Sequence, residues 1–517
     1  MRRQLLDRLE AWKGRFGGPG DAELAQLLAT LAASRIPDPA DLIRLHETLL
    51  FLRAYPRSTQ AARQADSILF RFASRLKNLD LTAFEEPEIS GIAGTSLSAV
   101  FGYEVARRLA RVHPRGMEID WDRLGDFDQL GPLLSRLVPL AAEDWPVEAH
   151  VPFLEWSSRK LSWWIERLEH LPLPPRDRAA LYDSLHLPLT WNLGNGPSSR
   201  SLLRLPGRKL FCHLEPLLRR GDISLQKELQ GPPLAVKRLP QSQADKILDL
   251  ILDTSAMRYR ELYGFTHPDP SGLLHADLGR GMEIYFCGVP PEWRLPLRAY
   301  HCGMFFKNGV PAGYVELLSL FERAEVGFNL YYTFRAGETA WLYARLLHLF
   351  RQLLGVNCFS VDPYQIGHLN PEAVGSGAFW FYRKLGFRPI DPDVARLMAR
   401  EERRMLQTPA YRSSQAVLEK LARGYILFEG PGAEPGVWDR FRIRTLALAA
   451  QRAEGAAPAT GLQLLLRLIP DRERWSPAEK RLTARILEAK LGPDEALYLH
   501  LMQRHPRLRT AVLRAGS

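Results

Sequence analysis

The strongest constraint in this sequence is a series of β-rich segments between residues 281 and 334, where the hydrophobic period falls towards two. The segments rich in β-branched and aromatic residues are Met282–Cys287, Ala299–Phe306, Ala312–Phe321 and Val326–Phe334. Asn308 and Gly309 stand between the second and third of them. Because an Asn-Gly pair flanked by strands favours a two-residue turn, we expect a β-hairpin at this position.

Helices and further strands are predicted on both sides of these segments. A long amphipathic helix, Gln243 to Tyr263, precedes them. After them the sequence predicts a helix Thr339–Leu354 ended by Gly355, a strand Asn357–Val361, a short helix Ala378–Leu385 and a last strand at Phe387. This order is typical of a mixed α/β sheet.

The remainder of the chain has a helical pattern. With 517 residues it is too long for one compact core, so two to four domains are expected. We predict a mainly α-helical region at 1–240, forming one or two subdomains, and the α/β domain at 241–390. A helical extension and linker at 391–436 then lead to a C-terminal α-helical module at 437–517.

Composition restricts the classes of protein further. Hydrophobic residues make up 46% and charged residues 25%, as in soluble globular proteins. The four cysteines form no C-x-x-C pair and the thirteen histidines show no paired ligand spacing, so neither disulfides nor a metal are expected. No apolar signal region opens the chain, and no window reaches about 18 uncharged apolar residues. We therefore expect a cytoplasmic protein without a membrane span.

The segment Ala378-Phe-Trp-Phe-Tyr-Arg-Lys-Leu-Gly-Phe387 is the most specific motif. It matches A-x-x-F-Y-x-x-x-G-F and, with the preceding order of elements, resembles the GNAT acyltransferase superfamily. The resemblance covers about residues 281–390. It implies an α/β fold with a mixed, mostly antiparallel sheet and flanking helices, here joined to α-helical N- and C-terminal regions.

The junction before the helix Thr339–Leu354 resembles the family's R/Q-x-x-G-x-G/A loop, whose backbone amides hold the pyrophosphate of acyl-CoA at a helix N-terminus. The resemblance assigns this cofactor-binding role to Arg335, Ala336, Gly337, Glu338, Thr339 and Ala340. Glu338 stands where the family has its middle glycine. A carboxylate there would stabilise the helix and repel a pyrophosphate, unless Arg335 or another cation offsets it. Two hypotheses follow, a working acyl-CoA or acyl-pantetheine site and an inactivated pocket.

The same resemblance implies roles for residues on either side of the loop. Asn329, Leu330 and Tyr331 would pair with the pantetheine arm as an added strand would. Tyr382 would protonate the leaving thiolate, because the pKa of a phenol lies close to that of a thiol. The alternative role of Tyr382 is packing alone.

A general base is needed to deprotonate the attacking ammonium. The candidates are Glu316 and Glu325, which fall on neighbouring predicted strands, although a solvent-facing strand carboxylate is the commoner case.

The acceptor-binding residues are predicted at the carboxyl end of the strand Asn357–Val361. Asp362, Tyr364 and Gln365 lie in the loop that follows it, where α/β sheets bind ligands. Tyr263, at the end of the helix before the sheet, is the fourth candidate. The alternative for this loop is an Asp-Pro turn that only ends the strand.

Charge and motif content restrict the partners. Residues 391–517 hold 22 Lys and Arg against 15 Asp and Glu, an excess that would suit an acidic acyl carrier protein. No nucleic-acid-binding motif is present. We expect an N-acyltransferase that moves an acyl group from acyl-CoA, or from a carrier protein, to a small-molecule or peptide amine. The alternative is a catalytically degenerate scaffold that acts as an interaction protein.

Overall fold

The computed structural model describes residues 2–17, 19–124, 130, 136–137, 161–207, 209–258, 262–452, 461–467, 469 and 471–517. The chain divides into two compact units. Unit 1 comprises Met1–Pro216, Asp245–His267 and Asn308–Pro311. Unit 2 comprises Leu217–Ala244, Pro268–Lys307 and Ala312–Ser517. Both units contain helices and strands, so the protein is mixed α/β.

Unit 1 begins with four helices, α1 Arg2–Ala11, α2 Asp21–Ala33, α3 Pro39–Ala54 and α4 Thr59–Phe70. Their buried leucines form one hydrophobic core. Next along the chain are β1 Ser96–Val100, α5 Tyr103–Val112, β2 Met117–Ile119, α6 Leu161–Glu169, α7 Pro175–Asp183 and β3 Pro188–Asn192. Within the described part of unit 1, β3 pairs antiparallel with β1 and β2 in a three-stranded sheet. The sequence does not predict this sheet, because strands of three to five residues show too little alternation.

The chain then forms the helices and strands up to the centre of the large sheet. In chain order these are α8 Leu225–Glu228, β4 Val236–Arg238, α9 Gln241–Met257, α10 Tyr263–Thr266, β5 Leu274–Gly279, β6 Met282–Gly288, β7 Ala299–Lys307, β8 Val310–Leu320 and β9 Arg323–Leu330. The predicted helix Gln243–Tyr263 is too long: α9 ends at Met257 and Tyr263 starts a separate short helix. Residues 259–261 of that prediction lie outside the described residues.

Helices dominate the remainder of unit 2. The elements are α11 Thr339–Leu354, β10 Cys358–Val361, α12 Pro363–Ile366, α13 Pro371–Ser376, α14 Ala378–Lys384, β11 Arg388–Pro389, α15 Pro392–Gln407, α16 Gln415–Leu421, β12 Ile426–Glu429, α17 Ile443–Arg452, α18 Gly461–Arg467, α19 Pro477–Leu491, α20 Glu495–Gln503 and α21 Pro506–Gly516. The helix predicted at Thr339–Leu354 is confirmed, and Gly355 ends it in the left-handed conformation with φ 66°.

In the described residues one nine-stranded sheet runs through unit 2, in the order β11-β12-β10-β9-β8-β7-β6-β5-β4. Its recorded pairings are antiparallel apart from that of β9 with β10, which is parallel. The predicted hairpin is confirmed: β7 and β8 are joined by Asn308 and Gly309, with φ 49° and 77°. Two consecutive positive φ angles are what a type I′ turn requires.

The predicted strand Val326–Phe334 is shifted from the observed one, because β9 covers Arg323–Leu330 and Tyr332–Phe334 form a 3-10 turn. Aromatic residues at 331–334 have high β propensity, but here the chain must turn from the sheet into α11. Strand β5 was not predicted, although Leu274, Ala276 and Leu278 alternate with other residues along it.

The register of β8 with β9 divides their side chains between two faces. Glu316 lies opposite Gly327 and Leu318 opposite Glu325, so the two carboxylates share one face. We call this the polar face. The opposite face carries Phe328, whose ring contacts Tyr343 of α11 at a centroid distance of 5.2 Å. The sheet thus has an apolar side that packs on α11 and a polar side turned away from it.

Candidate functional site

The site is built around the place where β9 and β10 separate. The two strands pair over only three residues, 323–325 of β9 with 358–360 of β10. Strand β10 ends at Val361, whereas β9 continues to Leu330. On the side where β10 lies, residues 326–330 of β9 therefore have an edge that is not paired with β10. We call this stretch the open edge of β9.

Backbone alternation determines which groups lie on the open edge. The amide of Tyr331 donates to the carbonyl of Ala312 on β8 at 2.9 Å. Because neighbouring residues direct their backbone groups to opposite sides, the amide and carbonyl of Leu330 face the open edge. The predicted donor-binding stretch Asn329–Tyr331 thus contributes Leu330 to this edge, and the amide of Tyr331 belongs to the sheet.

Two side chains of the protein cover part of the open edge. The amide of Phe328 donates to the side-chain oxygen of Gln365 at 3.4 Å. The carbonyl of Leu330 accepts from Nε of Arg335, also at 3.4 Å. Both distances are long for hydrogen bonds, so a ligand with better-placed groups could replace either contact. Gln365 is predicted to bind the acceptor and Arg335 to bind the donor. Both side chains therefore contact the open edge of β9.

Glu316 and Glu325, the two candidate bases, lie on the polar face beside the open edge. Glu316 accepts a hydrogen bond from the hydroxyl of Tyr300, and burial raises the pKa of its carboxyl group. Burial likewise raises the pKa of Glu325, whose Oε2 lies 3.5 Å from Nη1 of Arg298. Carboxyl groups with raised pKa values are better proton acceptors at neutral pH than exposed ones.

Asn329 and Tyr331 also belong to the neighbourhood of the polar face. Nδ2 of Asn329 donates to the hydroxyl of Tyr314 on β8 at 3.1 Å. The rings of Tyr314 and Tyr331 lie 6.5 Å apart between centroids. The side chain of Asn329 is thus held by the sheet itself.

The loop before α11 has an arrangement that the sequence does not reveal. Glu338 is only 2% exposed, and its Oε1 accepts from the amide of Leu218 at 3.0 Å. Arg280 binds both carboxylate oxygens, with Nε–Oε2 at 3.0 Å and Nη2–Oε1 at 2.6 Å. Nζ of Lys307 lies 4.0 Å from Oε2. The negative charge of Glu338 is therefore compensated mainly by Arg280, because burial lowers the pKa of Lys307 to about 7.

The N-terminus of α11 itself lacks a side-chain cap: Glu338 is the N-cap residue, but its carboxylate is engaged elsewhere. Arg335 and Ala336 are exposed, and Gly337 donates to the carbonyl of Phe334 at 2.8 Å. The helix starts at Thr339 and Ala340, where amides point out of the first turn. Such a terminus favours an anion.

Arg335 forms an exposed ion pair, with Nη2 2.5 Å from Oε1 of Glu372 on α13. Both side chains are about half exposed, so solvent screens this pair and its contribution to stability is small.

Tyr382 lies on the other side of the sheet from the carboxylates. It is 4% exposed, and its ring contacts Tyr343 at 5.5 Å and Phe387 at 5.6 Å. Burial raises the pKa of Tyr382, so the phenol keeps its proton at neutral pH. Because Tyr343 packs on Phe328, Tyr382 belongs to the α11 layer. A single ligand could contact both Tyr382 and the two carboxylates only if it passed through the gap between β9 and β10.

The predicted acceptor residues are placed differently from one another. Asp362 caps α12 through the amide of Tyr364 at 2.8 Å, as in a simple strand-ending turn. Tyr364 is 55% exposed. Gln365 extends over the polar face, where its Nε2 would lie 4.0 Å from a Cβ at Gly327. Tyr263 belongs to unit 1 and the other predicted site residues to unit 2.

Several polar groups near Glu325 were not predicted. Arg298, Arg323 and Tyr425 line a cavity of about 400 Å³ together with Glu325. Arg298 and Arg323 stand in a loop and at a strand start, where an arginine is ordinarily solvated. No local pattern distinguishes these residues, because the groups that surround them come from distant segments.

Comparison with protein-family models, curated proteins and solved structures finds no match for this chain. Among the described residues, no helix is both long and apolar enough to cross a membrane. The same part of the chain contains no group of three or more His, Cys, Asp or Glu side chains suited to a metal ion.

Proposed function

We propose that this protein is an N-acyltransferase of the GNAT type, which transfers an acyl group from acyl-CoA or an acylated carrier protein to an amine. The observation that carries the proposal is the open edge of β9, which ends beside the uncapped N-terminus of α11. An extended thioester arm could pair with Phe328 and Leu330, and its phosphates could meet the amides of the helix.

The surroundings of Glu338 support this use of the loop. A free carboxylate at the helix start would repel a pyrophosphate, but the guanidinium of Arg280 compensates this one inside the protein. Arg335, held by an exposed ion pair with Glu372 and a long contact with the carbonyl of Leu330, can turn towards a phosphate at small cost. The residues present therefore fit an acyl-CoA as donor.

The chain's own groups account for the proton transfers. A thioester donor supplies an acyl group activated for attack by an amine. As the C–N bond forms and the C–S bond breaks, the amine nitrogen loses two protons overall, starting from its ammonium form. Glu325 or Glu316 would take one and pass it to solvent. The thiolate would take the proton of Tyr382, which the second proton then restores.

A degenerate scaffold is the second candidate, and one observation favours it. The open edge is already in contact with Gln365 and Arg335, and Tyr382 is nearly sealed in an aromatic layer. A protein that never binds a thioester could keep this arrangement for stability alone.

Thermal unfolding of the full chain with and without acetyl-CoA and longer acyl-CoAs separates the two candidates. A ligand present at 100 times its dissociation constant should add about 2.7 kcal/mol of stability. We expect this gain to fall in Arg335→Ala and to persist in the matched control Arg396→Ala, since Arg396 also forms an exposed ion pair, with Asp393. An unchanged transition with every acyl-CoA and with an acylated carrier protein would favour the scaffold.

A further inference from the structure

The cavity beside Glu325 lies at the opposite end of β9 from the loop 331–340. Its volume is about 400 Å³, within the range of small-molecule sites. Leu318 and Leu320 of β8 line it on the polar face, together with residues 441–445 and Leu448. Seven residue steps of β9 separate Arg323 from Leu330, roughly 23 Å at strand spacing. The cavity is therefore distinct from the proposed phosphate site at α11.

Arg323 is the central feature of this cavity, because it is a deeply buried cation without a paired anion. It is 8% exposed, and its Nε donates to the hydroxyl of Ser360 at 3.2 Å. Its guanidinium lies 5.7 Å from the ring centre of Trp438 and 5.8 Å from those of Tyr425 and Phe441. Within the described chain no carboxylate forms an ion pair with it, and Glu325, two residues further along β9, attracts it only through a longer-range electrostatic interaction. Aromatic rings stabilise a cation but bring no negative charge.

Further cations line the same cavity. Arg442 and Arg444 come from the start of α17. Arg442 donates to the backbone carbonyls of Asp439 and Phe441 at 2.7 and 2.9 Å, and Arg444 is exposed without an ion pair to any described residue. Arg298 completes the set, and Glu325 is the single carboxylate among the lining residues.

The orientation of α17 adds to this positive charge. Ile443, Arg444 and Thr445, the first turn of this ten-residue helix, line the cavity. A helix N-terminus carries about half a positive charge. Among the lining residues, four arginines and a helix terminus stand against one carboxylate, Glu325, and Asp362 acts on Glu325 and Tyr425 from outside the lining. The cavity therefore has an excess of positive charge, and bidentate guanidinium groups match the oxygens of phosphate and carboxylate.

We propose that this cavity binds a phosphate or carboxylate group of the acceptor, so that the acceptor is a small amine that also carries an anion. The anion site stands on the cavity alone, while its link to an acceptor rests on the proposed acyltransferase function. Glu325 lines the cavity and lies on the polar face, so an amine held by its anionic group would lie close to a candidate base. Donor and acceptor would then approach from opposite ends of β9.

Isothermal titration calorimetry of the full chain with inorganic phosphate and with acetate, at fixed ionic strength, tests the site. We expect at least one of the anions to bind, and Arg444→Gln to weaken it about tenfold, as expected for the loss of one charge-assisted hydrogen bond. Arg323→Gln should weaken it at least as much where that variant folds. The matched control is Arg485→Gln, since Arg485 is exposed on α19 and outside the cavity. Tighter binding of phosphate than of acetate would identify the acceptor as a phosphate ester. Tighter binding of acetate would identify it as a carboxylate.

The proposal is overturned if neither anion binds, or if Arg444→Gln and Arg485→Gln bind it equally. Its failure is distinguishable from that of the proposed function. Anion binding without binding of any acyl-CoA or acylated carrier protein would leave the anion site in place and remove the acyltransferase. Acyl-CoA binding without anion binding would remove the site and leave the acyltransferase.

Discussion

The buried charges near the two ends of strand β9 differ in their partners. Beyond Leu330, Glu338 is buried between Arg280 and Lys307, and Arg335 is paired with Glu372. At the start of the strand, Arg323 is buried among aromatic rings and forms no ion pair with a described carboxylate, although Glu325 attracts it electrostatically. A buried charge with complete partners fixes the position of a turn. A buried charge without a counter-ion costs stability and is a reason to expect a ligand.

The largest expected effect concerns the compensated end. Glu338→Gln leaves Arg280 and Lys307 without their carboxylate, so we expect a loss of about 3–5 kcal/mol in the free energy of unfolding. Denaturant titration measures it. Glu372→Gln, which removes the exposed partner of Arg335, serves as the control and should change stability by less than about 1 kcal/mol. Equal effects of the two variants would mean that burial of Glu338 does not matter.

The next largest effect concerns Glu325, the candidate base near the start of β9. Glu325→Gln should lower kcat about 100-fold, if Glu325 takes the proton of the amine. Because burial raises the pKa of Glu325, the acid limb of the wild-type kcat/KM profile should lie above the ordinary value for a glutamate, 4.5. That limb should disappear in the variant. If kcat fell in Glu316→Gln and not in Glu325→Gln, Glu316 would be the general base.

A smaller effect, on the pH dependence of stability, comes from Lys307. Burial lowers the pKa of Lys307 from 10.5 to about 7. Between these values the unfolded chain binds more protons than the folded one, so stability should rise with pH from about 7 to 10.5. We expect the wild type to gain about 2 kcal/mol more than Lys307→Met between roughly pH 7.5 and 9.5, measured by denaturant titration. Parallel pH profiles would show that Lys307 titrates normally.

The smallest expected effect concerns the exposed ion pair of Arg335 with Glu372 and its influence on acyl-CoA affinity. Glu372→Ala releases Arg335, which should bind acyl-CoA two- to threefold more tightly, by about 0.5 kcal/mol. Calorimetry measures the change. Asp393→Ala releases Arg396 from a similar exposed pair and should leave the affinity unchanged. Weaker binding in Glu372→Ala would show that the pair orients Arg335 for the ligand.

The parts of the fold that the sequence predicts are those set by neighbouring residues. Asn308 and Gly309 specify their own turn, and Gly355 ends its helix, because these effects depend on local backbone conformation. The end of β9 is mispredicted because the aromatic run after Leu330 favours a strand as strongly as the strand itself.

The parts of the site that escape prediction depend on distant residues. Glu338 could be recognised as a departure from the glycine of the GNAT motif that this loop resembles, but its partners Arg280 and Lys307 lie far away in the sequence. In the same way, Trp438 and Phe441 reach Arg323 from more than a hundred residues along the chain. Pattern analysis examines one segment at a time and cannot detect such groupings.

The brief pairing of β9 with β10 has a consequence for cooperativity. In the described part of the sheet, three residue pairs join the block β4–β9 to the block β10–β12. Local opening should therefore begin along this seam, where amide hydrogen exchange would be fastest for the sheet interior. A molecule that hydrogen-bonds to Phe328 and Leu330 would take the place of a strand along that seam, so a donor bound as proposed would slow its local opening.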